Sequence, residues 1–360
     1  MSDFQRGAQH ALDCHAAECY DWKTHFAPPG TDPESNEPMK TKNYTATSIL
    51  TLILGCAQAP SDDAHLATRR FEFEYTTTVT EIPQDAKKAR LWLPLPVDDE
   101  AQSVKIMRVT APVPHRVGRE TAYGNETLYL EVDAPLPAEL QVTMTLEVER
   151  KEVRSVSRLA GAPRRDLLLR GDRLAPLNEE AKSRALLATT ARVGSTDEAR
   201  GIYDRVLSDV NYDKTGEGWG RGSLDYVCEN GKGNCSDFHS LFIAMARSKQ
   251  IPAVFEIGFP LPKDKEEGAI GGYHCWAWFQ DEKGRWRPVD ASEADKDPTR
   301  AEYFFGTICE NRVAFSRGRD LVLDPPQDGS PVNFLIYPHV EVDGKTDVAK
   351  VEKSFRFKNL

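Results

Sequence analysis

Three short blocks hold side chains whose types and order could perform nucleophilic chemistry. The first is GKGNCSDFHSLFIAMARSKQIPA, residues 231–253, where a glycine-broken loop runs into a helix. Phe238, Leu241, Phe242 and Met245 recur at i, i+3, i+4 and i+7, the stripe of a buried helix, and Cys235 stands just ahead of it. A thiol at a helix N-terminus meets the positive end of the dipole and unbonded N–H groups, which favour a thiolate and can hold an oxyanion. Such a thiol needs a base. His239 lies four residues on and shares the helical face, but helix side chains lean toward the N-terminus, so it is expected to be a helper or a packed polar residue. The second block, YHCWAWF, offers His274 on a separate strand. There His274, Trp276 and Trp278 share one face, while Tyr273, Cys275, Ala277 and Phe279 share the other. The third block, RWRPVD, returns after QDEKG. A turn centred on Glu282 sets His274 opposite Asp290, Trp276 opposite Pro288 and Trp278 opposite Trp286. A carboxylate there can fix the imidazole tautomer. A one-residue slip, which Gly284 permits, would turn Asp290 away. Taken singly, Cys235 reads as a capping core residue, His274 as a structural histidine and Asp290 as a strand-end turn former.

Together and in this order, GNCSDFHSLFIAMARSKQIPA, GGYHCWAWF and RWRPVDASE resemble the core of the transglutaminase-like superfamily, over roughly residues 200–300 and more weakly in the flanks. The resemblance implies an α+β fold with a papain-like core, in which the helix bearing the cysteine packs on an antiparallel sheet. It implies a Cys–His–Asp triad: Cys235 in Gly-x-Cys-x-Asp as nucleophile, His274 in His-x-Trp as base, Asp290 as the orienting carboxylate. Two positions depart from the family pattern: Gln250 replaces a glycine before Ile-Pro-Ala, and Trp278 stands where an acidic residue is common. The second oxyanion donor has two weak candidates, Trp219 in GEGWGRG, otherwise a loop-packing aromatic, and His239. The implied chemistry is acyl transfer from a peptide or glutamine-type amide through a thioester, completed by water or by an amine acceptor, with no cofactor. The competing reading is a catalytically silent cell-envelope protein that binds peptide or glycan.

The elements around these blocks can be read from periodicity. RRFEFEYTTTVTEI, KARLWLPLPV, ETLYLEV and LQVTMTLEVER alternate and are separated by turn residues, giving an antiparallel β-domain over 68–155. NEEAKSRALLATTARV and STDEARGIYDRVLSDV have helical spacing and open a catalytic domain over 165–345, which ends in strand-like pieces such as NFLIYPHVEVDG. Ser195 to Glu198 offer capping groups for the second helix. NYDKTGEGWGRGSLD is a glycine-rich loop without the Lys-Ser/Thr ending of a phosphate loop. IPAVFEIGFPLP is a strand, and KDKEEGAIGG is expected to be flexible. His115 is isolated, structural or exposed.

The chain has 360 residues, 40% of them hydrophobic, enough for one large domain or two ordinary ones. A net charge of -10 without a basic block argues against nucleic-acid partners. The seven cysteines lack paired CxxC spacing. A zinc site from Cys228, Cys235, His274 and Cys275 is disfavoured, because strand neighbours point to opposite faces, so no metal is expected. Residues 1–60 read as a leader: Lys40 and Lys42, an apolar run and Gly55-Cys56-Ala57-Gln58-Ala59 have the layout of an export signal over 39–56. That layout predicts a start at Met39 and a periplasmic protein, or one lipid-anchored at Cys56 as in a lipobox.

Overall fold

The computed structural model describes residues 66–360; the leader, the signal-like stretch and Cys56 lie outside them. Alternation in the first third makes strands β1 (Thr68–Thr80), β2 (Lys88–Pro94), β3 (Gln102–Thr110), β4 (His115–Arg119), β5 (Glu126–Asp133) and β6 (Leu140–Lys151). The helices and site strands follow: α1 (Glu179–Ala188), α2 (Ser195–Asp209), β7 (Asn211–Tyr212), α3 (Leu224–Asn230), β8 (Lys232–Gly233), α4 (Cys235–Ser248), β9 (Ala253–Pro260), β10 (Glu267–Ala269), β11 (His274–Gln280), β12 (Trp286–Val289), α5 (Ala291–Lys296), α6 (Ala301–Phe304) and β13 (Arg312–Arg317). Two strands end the chain, β14 (His339–Val342) and β15 (Lys350–Asn359). The result, among the described residues, is an α+β architecture of three antiparallel sheets, with a short parallel β7–β8 pair beside the helices.

β1 shows why alternation specifies a half-buried strand: Phe71, Phe73, Tyr75 and Val79 are fully enclosed, while intervening residues face outward. It lies in a five-stranded sheet ordered β10-β15-β1-β6-β3, and a second sheet runs β14-β2-β5-β4. The C-terminal strands thus complete the sheets that the first strands begin, β15 pairing with β1 from Phe71↔Asn359 to Thr80↔Lys350. β3 and β4 were not distinguished by pattern. β3 is an edge strand with most side chains in solvent, so no apolar alternation marks it. The 263–272 segment, expected to be flexible, instead holds β10 against β15, with Ile270 N–H donating to Phe355 O at 2.9 Å. In NFLIYPHVEVDG only residues 339–342 form a strand.

The third sheet, β12-β11-β9-β13, holds His274 at the start of β11 and leads into Asp290 after β12. Helix α4 packs on one face of it. Every residue of α4 from Cys235 to Arg247 is buried, and Phe242 meets Phe279 at 6.3 Å between ring centroids. Trp276 and Trp278 project from the other face into a second apolar cluster with Trp92 and Tyr129. Both indole N–H groups donate to buried Glu256, at 2.5 and 2.8 Å, and Glu256 also accepts from Arg317, which pairs onward with Asp99. Trp278, the departure from the family pattern, is therefore one of three donors that satisfy a buried carboxylate.

Two local expectations need correction. The β11–β12 turn closes from Asp281 to Arg285 and centres on Lys283, so Trp278 pairs with Pro288 and Gln280 with Trp286. This register is displaced by two residues from the expected one. Displacement by two preserves the face of every side chain, so Asp290 stays on the His274 side. At α2, the N-cap is Gly194 at φ 92° with no side-chain cap bond; Asp197 accepts from Val193 N–H at 3.2 Å, and Thr196 bonds Glu282.

Candidate active site

The start of α4 is built by a reciprocal cap. Asn234 Oδ1 accepts from Ser236 N–H at 2.8 Å, and Asp237 Oδ2 accepts from Asn234 N–H at 2.9 Å. Gly233 is required beside it, since a Cβ there would lie 2.5 Å from the Asp237 carboxylate. Asp237 also accepts from Gly220 N–H at 2.7 Å and Gly222 N–H at 3.0 Å, which docks the glycine-rich loop against the first turn. Arg319 clamps the loop from the other side, donating to Gly222 O at 2.8 Å, Arg221 O at 2.8 Å and Ser240 Oγ at 2.7 Å. Cys235 is the first residue of α4, so its N–H has no intrahelical acceptor.

His274 opens β11 and bridges Cys235 and Asp290. Its Nε2–H donates to Asp290 Oδ2 at 2.7 Å, which leaves Nδ1 as the ring nitrogen available to the neighbouring Cys235. Asp290 is wholly buried at the start of α5, where Oδ1 accepts from Glu293 N–H at 3.1 Å and Ser292 Oγ at 3.2 Å. Arg312 Nη2 lies 3.7 Å from Oδ2. Burial would lower the His274 pKa, but the Asp290 charge and hydrogen bond, with the bond to Cys235, push it up to about 9. Burial would likewise raise Asp290, yet His274 first, then His239 and Arg312, hold it well below the usual carboxylate range. Burial also opposes ionisation of Cys235; hydrogen bonds from Cys275 and His274, with the histidine charge, carry it well below the ordinary thiol value. These directions favour a thiolate–imidazolium pair at neutral pH.

The structure brings Cys235, His274 and Asp290 together and gives the two weaker candidates other tasks. His239 is fully buried, its Nδ1–H donating to Cys235 O at 2.8 Å and its Nε2 accepting from Ala291 N–H at 3.0 Å. With both nitrogens occupied and burial lowering its pKa, it is a packed neutral strut with nothing to offer an oxyanion or substrate. Trp219 donates its indole N–H to Gly216 O at 3.1 Å, the bond of a loop-packing aromatic. Cys275 is core, as its strand face implies, but its Sγ also lies 3.8 Å from Ser236 Oγ and 3.7 Å from His239 Nδ1. Burial and the neighbouring Cys235 raise its pKa well above the ordinary thiol value, so it remains a protonated thiol, its S–H directed to Ser236 Oγ. Sequence reasoning did not single out Tyr273 or Arg312. Tyr273 had a usable signal, since it precedes His274 and shares the α4-facing side of Cys275; Arg312 had none.

Cys228, Cys235, Cys275 and Cys309 are free thiols. Among the described residues no cluster of three or more His, Cys, Asp or Glu side chains is arranged to hold a metal ion. Nor, among them, is any helix long and apolar enough to cross a membrane.

Residues 184–291 match the transglutaminase-like superfamily, so the chain carries a domain of that superfamily around this site. An uncharacterized protein of Haemophilus influenzae is 25% identical over 365 residues, covering 88% of this chain and 98% of that relative. In fold the chain is similar to a candidate cysteine protease from Cytophaga hutchinsonii, at 14% identity and TM-score 0.54, over 82% of this chain and 91% of that one. The periplasmic domain of TgpA from Pseudomonas aeruginosa overlaps at 13% identity and TM-score 0.32, over 67% and 92% of the respective chains.

Proposed function

We propose that the protein is a thiol-dependent acyl-transfer enzyme acting on peptide or glutamine-type amides. The observation that carries this reading is the buried His274–Asp290 bond of 2.7 Å beside Cys235, whose thiol, against burial, Cys275 and His274 draw well below its ordinary pKa. The Cys235 thiolate attacks the amide carbonyl, the alkoxide that forms is held by the Cys235 N–H, and collapse leaves a thioester while His274 protonates the departing amine. Water or a second amine then releases the acyl group. The superfamily match, and the fold shared with a candidate cysteine protease, support the same reaction class. The signal-like layout of residues 39–56 adds the cell envelope as the place of action, with Cys56 as a lipid attachment point.

The test is mass spectrometry of peptide mixtures incubated with wild-type protein and with Cys235→Ala. Deamidation, chain cleavage and isopeptide formation leave different masses, so the experiment reports both activity and acceptor. Products that require Cys235 support the reading. Identical spectra from the two proteins, with a Cys235 thiol that alkylates sluggishly and is indifferent to His274→Ala, would favour a silent binding protein.

A further inference from the structure

Attack by Cys235 moves an electron pair onto the carbonyl oxygen, and one donor for that charge is in place, the Cys235 N–H. A second donor must flank the sulfur and hold an uncommitted proton. Trp219 already gives its indole N–H to Gly216 O. His239 has both nitrogens filled. Asn234 is held at both ends of its side chain, by Ser236 N–H at 2.8 Å and by Tyr273 Oη at 3.0 Å. Tyr273 is different. Its oxygen accepts that bond from Asn234 Nδ2, which orients the hydroxyl and leaves its own hydrogen to be donated. The acceptors near it are Ser236 Oγ at 3.4 Å and Gly220 O at 3.5 Å, both beyond the normal O–H···O range. The ring is fixed by Phe334 and Tyr337, at 5.9 and 5.8 Å between centroids, and remains half-buried. Its hydroxyl therefore contacts residues on both sides of Cys235 in sequence, and Tyr273 itself stands one residue ahead of His274.

We propose that Tyr273 is a catalytic residue whose O–H, paired with the Cys235 N–H, binds the oxyanion of the tetrahedral intermediate. The assignment rests on the acyl-transfer function proposed above. In the step it serves, the C–S bond forms as the carbonyl π pair moves to oxygen. The alkoxide accepts both hydrogen bonds without taking a proton, and collapse restores the carbonyl as the C–N bond breaks and His274 delivers its proton to nitrogen. Burial and the Cys235 charge raise the phenol pKa well above its ordinary value, so the hydroxyl keeps the hydrogen it must donate.

Two reagents separate this role from a merely structural one. Iodoacetamide alkylates a thiolate by displacement at a saturated carbon and makes no oxyanion, whereas p-nitrophenyl acetate acylates it through one. In Tyr273→Phe, acylation of Cys235 should fall about 100-fold, the scale of losing one oxyanion donor. Alkylation should keep its rate and pH profile. Equal acylation in variant and wild type, or equal losses with both reagents, overturns the assignment. If the phenylalanine variant does not fold, 3,5-difluorotyrosine at position 273 keeps the shape and alters the acidity; the assignment then requires a changed acylation rate with unchanged alkylation, and falls if neither rate moves. A wild-type protein that p-nitrophenyl acetate cannot acylate at Cys235 would instead remove the acyl-transfer function itself, visible before any variant is made.

Discussion

The second turn of α4 and the leading end of β11 each bring a fully enclosed histidine to the same carboxylate, with opposite outcomes. His239 Nε2 lies 3.7 Å from Asp290 Oδ1, and His274 Nε2 lies 2.7 Å from Oδ2. Burial depresses the first imidazole, while Asp290 lifts the second to about 9. The difference is in the partners. His239 faces a backbone carbonyl and a backbone N–H, which together select one neutral tautomer. His274 faces a carboxylate and a thiol, which reward a proton on each nitrogen. Closeness to Cys235 in sequence is thus a poor guide to which imidazole is held protonated; the groups at the two ring nitrogens decide.

The strongest way to break this contrast is to exchange the roles by mutation. His274→Ala should lower turnover about 1,000-fold or more and slow Cys235 alkylation at neutral pH, since the thiolate loses its imidazolium. Asp290→Asn should lower turnover by about 100-fold to 1,000-fold while the fold persists, because the amide no longer favours the protonated ring; steady-state kinetics beside a thermal melt checks both halves. His239→Ala should do the reverse, costing about 2–4 kcal/mol of stability by leaving the buried Ala291 N–H without its acceptor and a cavity in place of the ring, with alkylation of the folded fraction little changed. A denaturant titration reads that loss, and a collapse of thiol reactivity without loss of stability would undo the contrast.

The pH dependence sharpens it further. His274 has a folded pKa raised from 6.5 to about 9, so the stability it contributes is complete below about 6.5 and is lost as pH rises through about 9. Acyl transfer should fall over the same alkaline limb, because the leaving amine loses its proton donor. Asp290, held low, contributes stability above its ordinary value and loses it as pH falls toward acid. Cys235, held low, gains stability over the same range and offsets this limb in the wild type, so melting temperatures from pH 6 to 10 should show the limb in Cys235→Ala and lose it when His274→Ala is added. The smallest expected effect lies at the far end of α4. Gln250 follows the C-cap Lys249 and sits at φ 61°, a left-handed conformation that glycine adopts without strain. Gln250→Gly should therefore stabilise by about 0.5 kcal/mol, readable as a small rise in melting temperature and leaving turnover untouched.

Much of the site was legible because its parts announce themselves locally. The glycines, Cys235 and the apolar stripe marked the start of α4, and the alternation of YHCWAWF put His274 and Cys275 on opposite faces. The hairpin register lies two residues from the one alternation predicts because Asp281 organises the turn through its side chain, accepting from Lys283 and Arg285 N–H, which apolar alternation does not encode. Period-two geometry absorbed that error and kept Asp290 beside His274. What pattern could not supply were bonds made across long separations: Arg319 on the glycine-rich loop, Arg312 beside Asp290, and β15 beside β1. Each depends on where distant segments meet.

The position of β15 also sets an order of events during synthesis. Arg69 and Asn359 are joined side chain to side chain at 2.9 Å although 290 positions separate them. At about 5–20 residues per second, roughly 15–60 s pass on the ribosome between the emergence of β1 and of its inner neighbour. Throughout that interval β1 keeps an unpaired edge, with Phe73 and Tyr75 awaiting Phe357 and Phe355 across the ladder. Cys235 is translated well within this window, so its thiol exists before the surrounding walls are sealed. A binder that occupied the open flank of β1 would hold the whole unit in an immature state.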